Sequence, residues 1–163
     1  MLNNESVYLS EHNVLLTGIN LDFPHYEITK EDPNDFIEYV NEHFPKSAPA
    51  DVFHEVSCHS PKVILNQEHF KQLIINPDLI HCGHMHHGLI PMGLGFMFPN
   101  NKGLIDPHNH LFPDLAHGKV SIDQTTGIIG GPLTSIAEIQ EFKAKIINSI
   151  APSRVDVVLV KKR

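Results

Sequence analysis

The chain has 163 residues, enough for one domain with a buried core. A hydrophobic content of 41% and a charged content of 19% are ordinary for a globular protein and exclude collagen-like and wholly disordered classes. A formal net charge of -7 argues against a nucleic-acid backbone or an anionic membrane as the main partner.

Membrane and export signals are also missing from the sequence pattern. No apolar stretch approaches the roughly 20 residues needed to span a bilayer. Residues 1–10 lack the basic-then-apolar layout of a signal peptide. These features predict a cytoplasmic protein without a membrane segment.

The first part of the chain predicts strand, helix and strand in that order. Apolar residues within 7–20 indicate one or two short buried strands. Asp32 can cap a helix that starts at Pro33 and continues to Phe44, because apolar residues recur there at helical spacing. Residues 52–58 alternate between apolar and polar and predict a strand.

The rest of the chain continues the mixture of helices and strands. A long loop at 88–118 is rich in Gly, Pro and Asn, and loops of that length are usually functional. We therefore predict an α/β fold in one domain spanning 1–163. The remaining predicted elements are a helix at 67–74 with Phe70, Leu73 and Ile74 facing inward, strands at 78–82, 117–122, 127–129 and 155–160, and a weak helix at 135–147.

Two cysteines, Cys58 and Cys82, are too few for a disulfide framework. Each lies at the end of an apolar run, close to a histidine. We interpret them as buried free thiols on neighbouring strands, since free cysteine is usually buried. A zinc site that includes both is the alternative.

Histidine is the unusual component, with thirteen in the chain. After the strand at 78–82, Gly83 is followed by His84 and His86, which point the same way if the segment is extended. Gly83 and Gly88 would let the backbone turn on either side. About twenty residues upstream, another strand ends at His59. If the two strands are neighbours, the three histidines meet at their carboxyl ends.

This pattern resembles the two C-terminal motifs of the calcineurin-like metallophosphoesterases. The shared features are strand-His59-Ser60-Pro61, a helical crossover, and then Asp78-Leu79-Ile80-x-x-Gly83-His84-x-His86. The resemblance extends over most of the chain, and residues 111–118 and 128–132 look like parts of a bacterial phosphohydrolase subgroup. It implies part of a two-sheet β-sandwich flanked by helices.

By this resemblance, His59 and His84 would bind one metal of a dinuclear pair and His86 the other. Two Mn, Fe or Zn ions would then promote hydrolysis of a phosphate monoester or diester. Asp78 would orient a neighbouring loop. Four further residues are candidates for orienting a metal ligand or contacting the substrate: Asn20, His87, His108 and His110.

The family's other motifs, Asp-x-His, a bridging aspartate and Gly-Asn-His, have no counterpart that we can place. The acid–base histidine is therefore unidentified. The sequence predicts a C-terminal part of the domain that lacks the N-terminal half, binds no metal or one, and is inactive alone. Its partner would be a complementing N-terminal half or a second copy of the chain.

Two rival interpretations remain. Asp106-x-His108-x-His110 resembles the first strand of the amidohydrolase barrel, but that fold takes about 250 residues, most of them after this motif. The second rival is a phosphoesterase remnant without catalysis, which serves as a metal-binding or assembly module. One bound zinc without hydrolysis would favour the module, and two metals with turnover would favour the enzyme.

Overall fold

A computed structural model describes residues 2–21, 33–43, 48–65, 67–90, 93–98, 101–105 and 111–130. The predicted helix at 135–147, the predicted strand at 155–160, His108 and His110 lie outside the described residues. The same holds for the side chains of His86 and His87, whose backbone is described.

The strands of the described part form a six-stranded mixed sheet in the order β1-β2-β3-β4-β6-β5. This confirms the mixed α/β class. A tight turn, residues 10–13, joins β1 to β2, and the two pair antiparallel. The strands are β1 (Glu5–Leu9), β2 (Val14–Ile19), β3 (Phe53–Cys58), β4 (Leu79–Cys82), β5 (Gly118–Ile122) and β6 (Thr125–Ile129).

Parallel pairing in the middle of the sheet follows from helical connections. Helix α1 (Pro33–His43) lies between β2 and β3 in the chain, and α2 (Lys62–Leu65) and α3 (Gln67–Phe70) lie between β3 and β4. Parallel strands need such crossovers because the chain must return to its starting end. Accordingly, β2 pairs with β3 and β3 with β4, both parallel. The carboxyl ends of these three strands therefore lie along one edge.

One face of the central strands is buried. By the register, Ile19, Val56, Cys58, Ile80 and Cys82 point to the same side, and each is buried. Helix α1 holds the crossover in place, because Ile74 N donates to Asn41 Oδ1 at 2.7 Å and Asn41 Nδ2 to Gln72 O at 3.2 Å. Phe36, Ile37 and Val40 of this helix are buried.

Several element predictions are confirmed, with three corrections. Strand β1 is exposed along its whole length, because it lies at the sheet edge, so the prediction of buried strands holds for β2 only. Ile74 is 51% exposed, since the helix of the crossover ends at Phe70 and leaves it outside the predicted helical face. Helix α2 was missed.

The described residues fall into two compact units, one within 2–83 and 119–128, the other within 84–118 and 129–130. In the second unit, the 3-10 turns His86–Leu89 and Gly95–Met97 interrupt the predicted long loop. Gly88 has a φ of 64°, and a Cβ atom at this position would collide with Gly103. The prediction that glycine lets the backbone turn at position 88 is confirmed. Within the described residues, no helix is both long and apolar enough to cross a membrane.

Candidate metal centre

The segment after β3 lies beside the segment after β4, as the motif spacing predicts. Cys58 and Cys82 end the two strands and are direct partners in the parallel register. One residue further, Gly83 N donates to His59 O at 3.0 Å. We call Cys58, His59, Ser60, Cys82 and Gly83 the β3–β4 corner. The prediction that these strands are neighbours is confirmed.

Glycine at position 83 leaves room for the imidazole of His59. A Cβ atom at Gly83 would lie 3.2 Å from His59 Nδ1 and 3.4 Å from Cε1, so the ring would have to shift slightly for a larger residue. The φ angle of Gly83 is not in the left-handed region, whereas that of His84 is 63°. The left-handed backbone in this segment therefore lies at His84, not at Gly83.

The segment that carries His84 and His86 is not extended. Met85 has φ -71° and ψ -2°, and a 3-10 turn begins at His86. Residues two apart point the same way only in an extended backbone. The local argument for convergence of His84 and His86 therefore fails, and the ligand role of these two residues now depends on the family resemblance alone. His84 itself is partly buried.

His59 is exposed, yet desolvation by its neighbours lowers the pKa of its imidazole. A lowered pKa keeps the ring neutral near pH 7, which is the form that binds a metal ion. The imidazole of His59 thus fits a borderline ion such as zinc, iron or manganese. Among the described side chains, no group of three or more His, Cys, Asp or Glu is arranged to hold a metal.

Asn20 follows β2 and lies level with His59, because Ile19 pairs with Cys58. Its backbone N–H donates to Asn4 Oδ1 at 2.7 Å and its side-chain amide to Asn3 Oδ1 at 2.8 Å. Asn20 therefore stands at the expected edge of the sheet, tied to the residues before β1. Its contact with a substrate stays a prediction.

Asp78 lies at the amino end of β4, away from the corner. Its Oδ2 accepts from the backbone N–H of His54 at 2.8 Å, and its own N–H donates to His54 O at 2.9 Å. The Asp78 carbonyl also accepts from Thr126 N at 2.9 Å. These bonds tie β3 and β6 to the residue before β4. Because they run to strand residues, the orienting of a neighbouring loop by Asp78 stays a prediction.

Polar side chains outside the histidine motifs pair across strands β1 to β4. His54 Nε2 is 2.8 Å from Thr17 Oγ1, which is 2.7 Å from Ser6 Oγ. On the opposite face, His81 Nδ1 lies 3.0 Å from Glu55 Oε1. The alternation of side chains along β3 separates Glu55 from His54, but only the register pairs each with its partner.

The cysteines have the predicted state: Cys58 and Cys82 are free and buried. Burial raises the pKa of the Cys58 thiol to about 12, although a hydrogen bond from the Ser60 backbone opposes the shift. Burial, and secondarily the neighbouring Cys58, raises the pKa of Cys82 well above its usual value. Both are therefore thiols near neutral pH.

No protein-family model, curated protein or solved structure gives a significant match to this chain.

Proposed function

We propose that this chain supplies the histidine ligands of a metal-dependent phosphohydrolase that acts on phosphate monoesters or diesters. The motif resemblance to calcineurin-like metallophosphoesterases is the origin of this proposal. The observation that carries it is the β3–β4 corner, where two parallel strands joined by a helical crossover are followed by His59 and by Gly83. The two family motifs that contain His59 and His84 require this order of strand, helical crossover and strand.

The packing of His59 on Gly83 supports a ligand role for this histidine. The ring lies close to the glycine, since a Cβ atom added at Gly83 would come within 3.2 Å of His59 Nδ1. The side chain is nevertheless exposed. A neutral and accessible imidazole is what a metal ion needs as a ligand.

By the resemblance, His59 and His84 hold one ion and His86 a second. The bound ions would polarise the phosphoryl oxygen and lower the pKa of a coordinated water. The chain's own described contribution is the imidazole of His59, whose pKa is lowered by desolvation so that the ring stays neutral near pH 7. His87 would orient a ligand or contact the ester, and Asn20, His108 and His110 would contact the ester. The missing carboxylate ligands would come from an N-terminal half of the domain.

The runner-up is a non-catalytic module that binds one metal or assembles with another chain. Strand β1 supports it, since all of its residues are exposed and it lies at the edge of the sheet, with Val7, Tyr8 and Leu9 among the exposed apolar side chains. An exposed edge strand offers unpaired backbone groups to another strand. A second copy of the chain or a complementing half would use that edge.

The test is metal content of the purified chain together with hydrolysis of bis-p-nitrophenyl phosphate in added manganese. His59→Asn and His84→Asn are the ligand variants, and His12→Asn, in the exposed turn after β1, is the matched control. Bound metal in the chain, and turnover that appears once an N-terminal half of the domain is added and that both variants lose, with His12→Asn unaffected, support the phosphohydrolase.

Other outcomes separate the alternatives. One bound metal that depends on His59 and His84, without turnover even after an N-terminal half is added, favours the module. Metal uptake that is unchanged in both ligand variants excludes these histidines as ligands and rejects the site. Turnover that survives both substitutions would place the activity elsewhere in the chain or in a contaminant.

A further inference from the structure

Cys58 and Cys82 form a facing pair. They are the last residues of β3 and β4, and the parallel register makes them direct partners. In parallel strands, directly opposite residues point to the same face, so both thiols leave the sheet in one direction. The pair is buried, with 3% and 6% of the residues exposed.

The separation of two parallel side chains suits a linear metal site. Neighbouring strands lie about 4.8 Å apart, and side chains that leave them in parallel keep about that separation. A disulfide draws the two Cβ atoms to about 3.8 Å and the sulfurs to about 2.05 Å, so the two side chains would have to tilt toward each other. Two metal–sulfur bonds of about 2.3 Å in line span about 4.6 Å, which matches the undistorted sheet.

We propose that Cys58 and Cys82 form a two-thiolate site for a soft cation that prefers two ligands in line, such as Hg(II) or Cu(I). Thiolate sulfur selects soft cations over the harder ions that imidazole and carboxylate prefer. On binding, each thiol releases its proton to water and forms one sulfur–metal bond, and no electron is transferred. The site is distinct from the proposed phosphohydrolase ligands and does not depend on them.

The surroundings favour a divalent over a monovalent ion. Val56 and Ile80 precede Cys58 and Cys82 by two residues and point to the same face of the sheet. Both are buried and apolar, and so is Ile19, the partner of Cys58 in β2. An uncompensated charge in such a place is costly. Two thiolates with Hg(II) are neutral, whereas two thiolates with Cu(I) carry one negative charge. Hg(II) is therefore expected to bind more tightly than Cu(I).

Zinc is not expected to compete, because it requires about four ligands. No third His, Cys, Asp or Glu joins this pair among the residues that the structure describes. The ion reaches the thiols from the carboxyl ends of the strands. Each cysteine is the final residue of its strand, and His59, next to Cys58, is exposed to solvent.

The test is titration of the purified, reduced chain with mercuric chloride, followed by the sulfur-to-mercury charge-transfer absorption and by a count of the remaining thiols. One ion should block both thiols, and zinc in excess should not prevent it. Cys58→Ser and Cys82→Ser should each abolish the two-thiolate absorption. His59→Gln, which leaves both thiols in place, should retain it. A parallel titration with Cu(I) in a chelator buffer should give the same stoichiometry at weaker affinity.

Three results would overturn the proposal. One thiol blocked per ion in the wild type would mean that the cysteines act independently. Single serine variants that keep the two-thiolate absorption would mean that the signal comes from two chains. No uptake by the folded chain, with uptake after denaturation, would mean that the corner does not admit the ion. The wild-type count decides the matter even if a serine variant fails to fold.

Discussion

His54 and His59 lie five residues apart on and just beyond β3, and burial lowers the pKa of both imidazoles. Their surroundings are nevertheless opposite. His54 is 1% exposed and bonded to Thr17, near the amino end of the strand, whereas His59 is exposed at the carboxyl end. A lowered histidine pKa therefore does not by itself distinguish a structural residue from a candidate ligand. The position of the residue along the strand makes that distinction here.

The largest expected effect is at His54. His54→Ala removes a buried ring and its bond to Thr17 and leaves a cavity, which should cost about 3 kcal/mol of unfolding free energy. Denaturant unfolding measures this loss. His12→Ala, in an exposed turn, should stay within about 0.5 kcal/mol of the wild type. Equal losses in the two variants would contradict the structural role of His54.

A smaller loss is expected at Asp78. Asp78→Ala removes the acceptor of the His54 backbone N–H and should cost about 1.5–2 kcal/mol, because hydrogen bonds to charged groups are stronger than neutral ones. Asp78→Asn keeps an acceptor oxygen and should retain most of the stability. Metal uptake should be unchanged in both variants, since Asp78 lies at the opposite end of β4. Loss of metal uptake in Asp78→Asn would instead assign Asp78 to the site.

The pH dependence of stability should separate the two histidines. In the folded chain the pKa of His54 is lowered, mainly by desolvation and against the opposing charge of Asp78. The imidazole of His54 therefore binds a proton more readily in the unfolded chain. Its contribution to the unfolding free energy is fully present above the unfolded pKa of 6.5 and is lost as the pH falls toward the folded pKa. The slope is at most about 1.4 kcal/mol per pH unit for each such group.

Equilibrium unfolding between pH 7.5 and 5 measures that slope. His54→Gln should flatten it, because the variant has no imidazole to protonate at that position. His59→Gln should flatten it less, since an exposed ring is less desolvated. In saturating metal, the His59 contribution should become steeper if this residue is a ligand, because protons then compete with the ion. A profile that neither substitution alters would contradict both pKa assignments.

The smallest effect on stability, and the most informative for the site, is expected at Gly83. Its backbone tolerates a side chain, so the cost of Gly83→Ala arises from the contact with the His59 ring. Stability should change by less than about 1 kcal/mol. Metal affinity should fall about tenfold or more, as for other residues that orient a ligand. Ser57→Ala, at an exposed position of β3, is the control and should leave affinity unchanged.

Much of the unit that contains the sheet follows from local sequence. Alternation predicts β3, helical spacing predicts α1 and a helix in the second crossover, and a connection of that kind implies parallel strands. The sequence therefore places His59 and Gly83 at one edge, as the structure has them. It does not foresee that β1 is an exposed edge or that Ile74 points outward, because neither depends on local periodicity alone.

The site itself divides in the same way. The sequence alone predicts that histidines follow two strand ends, that a cysteine precedes each, and that glycine stands between cysteine and histidine in the second motif. Three features required the three-dimensional structure: Cys58 faces Cys82, Gly83 accommodates the ring of His59, and the left-handed residue is His84. Register and close packing are set by non-local contacts between strands, and local propensity does not encode them.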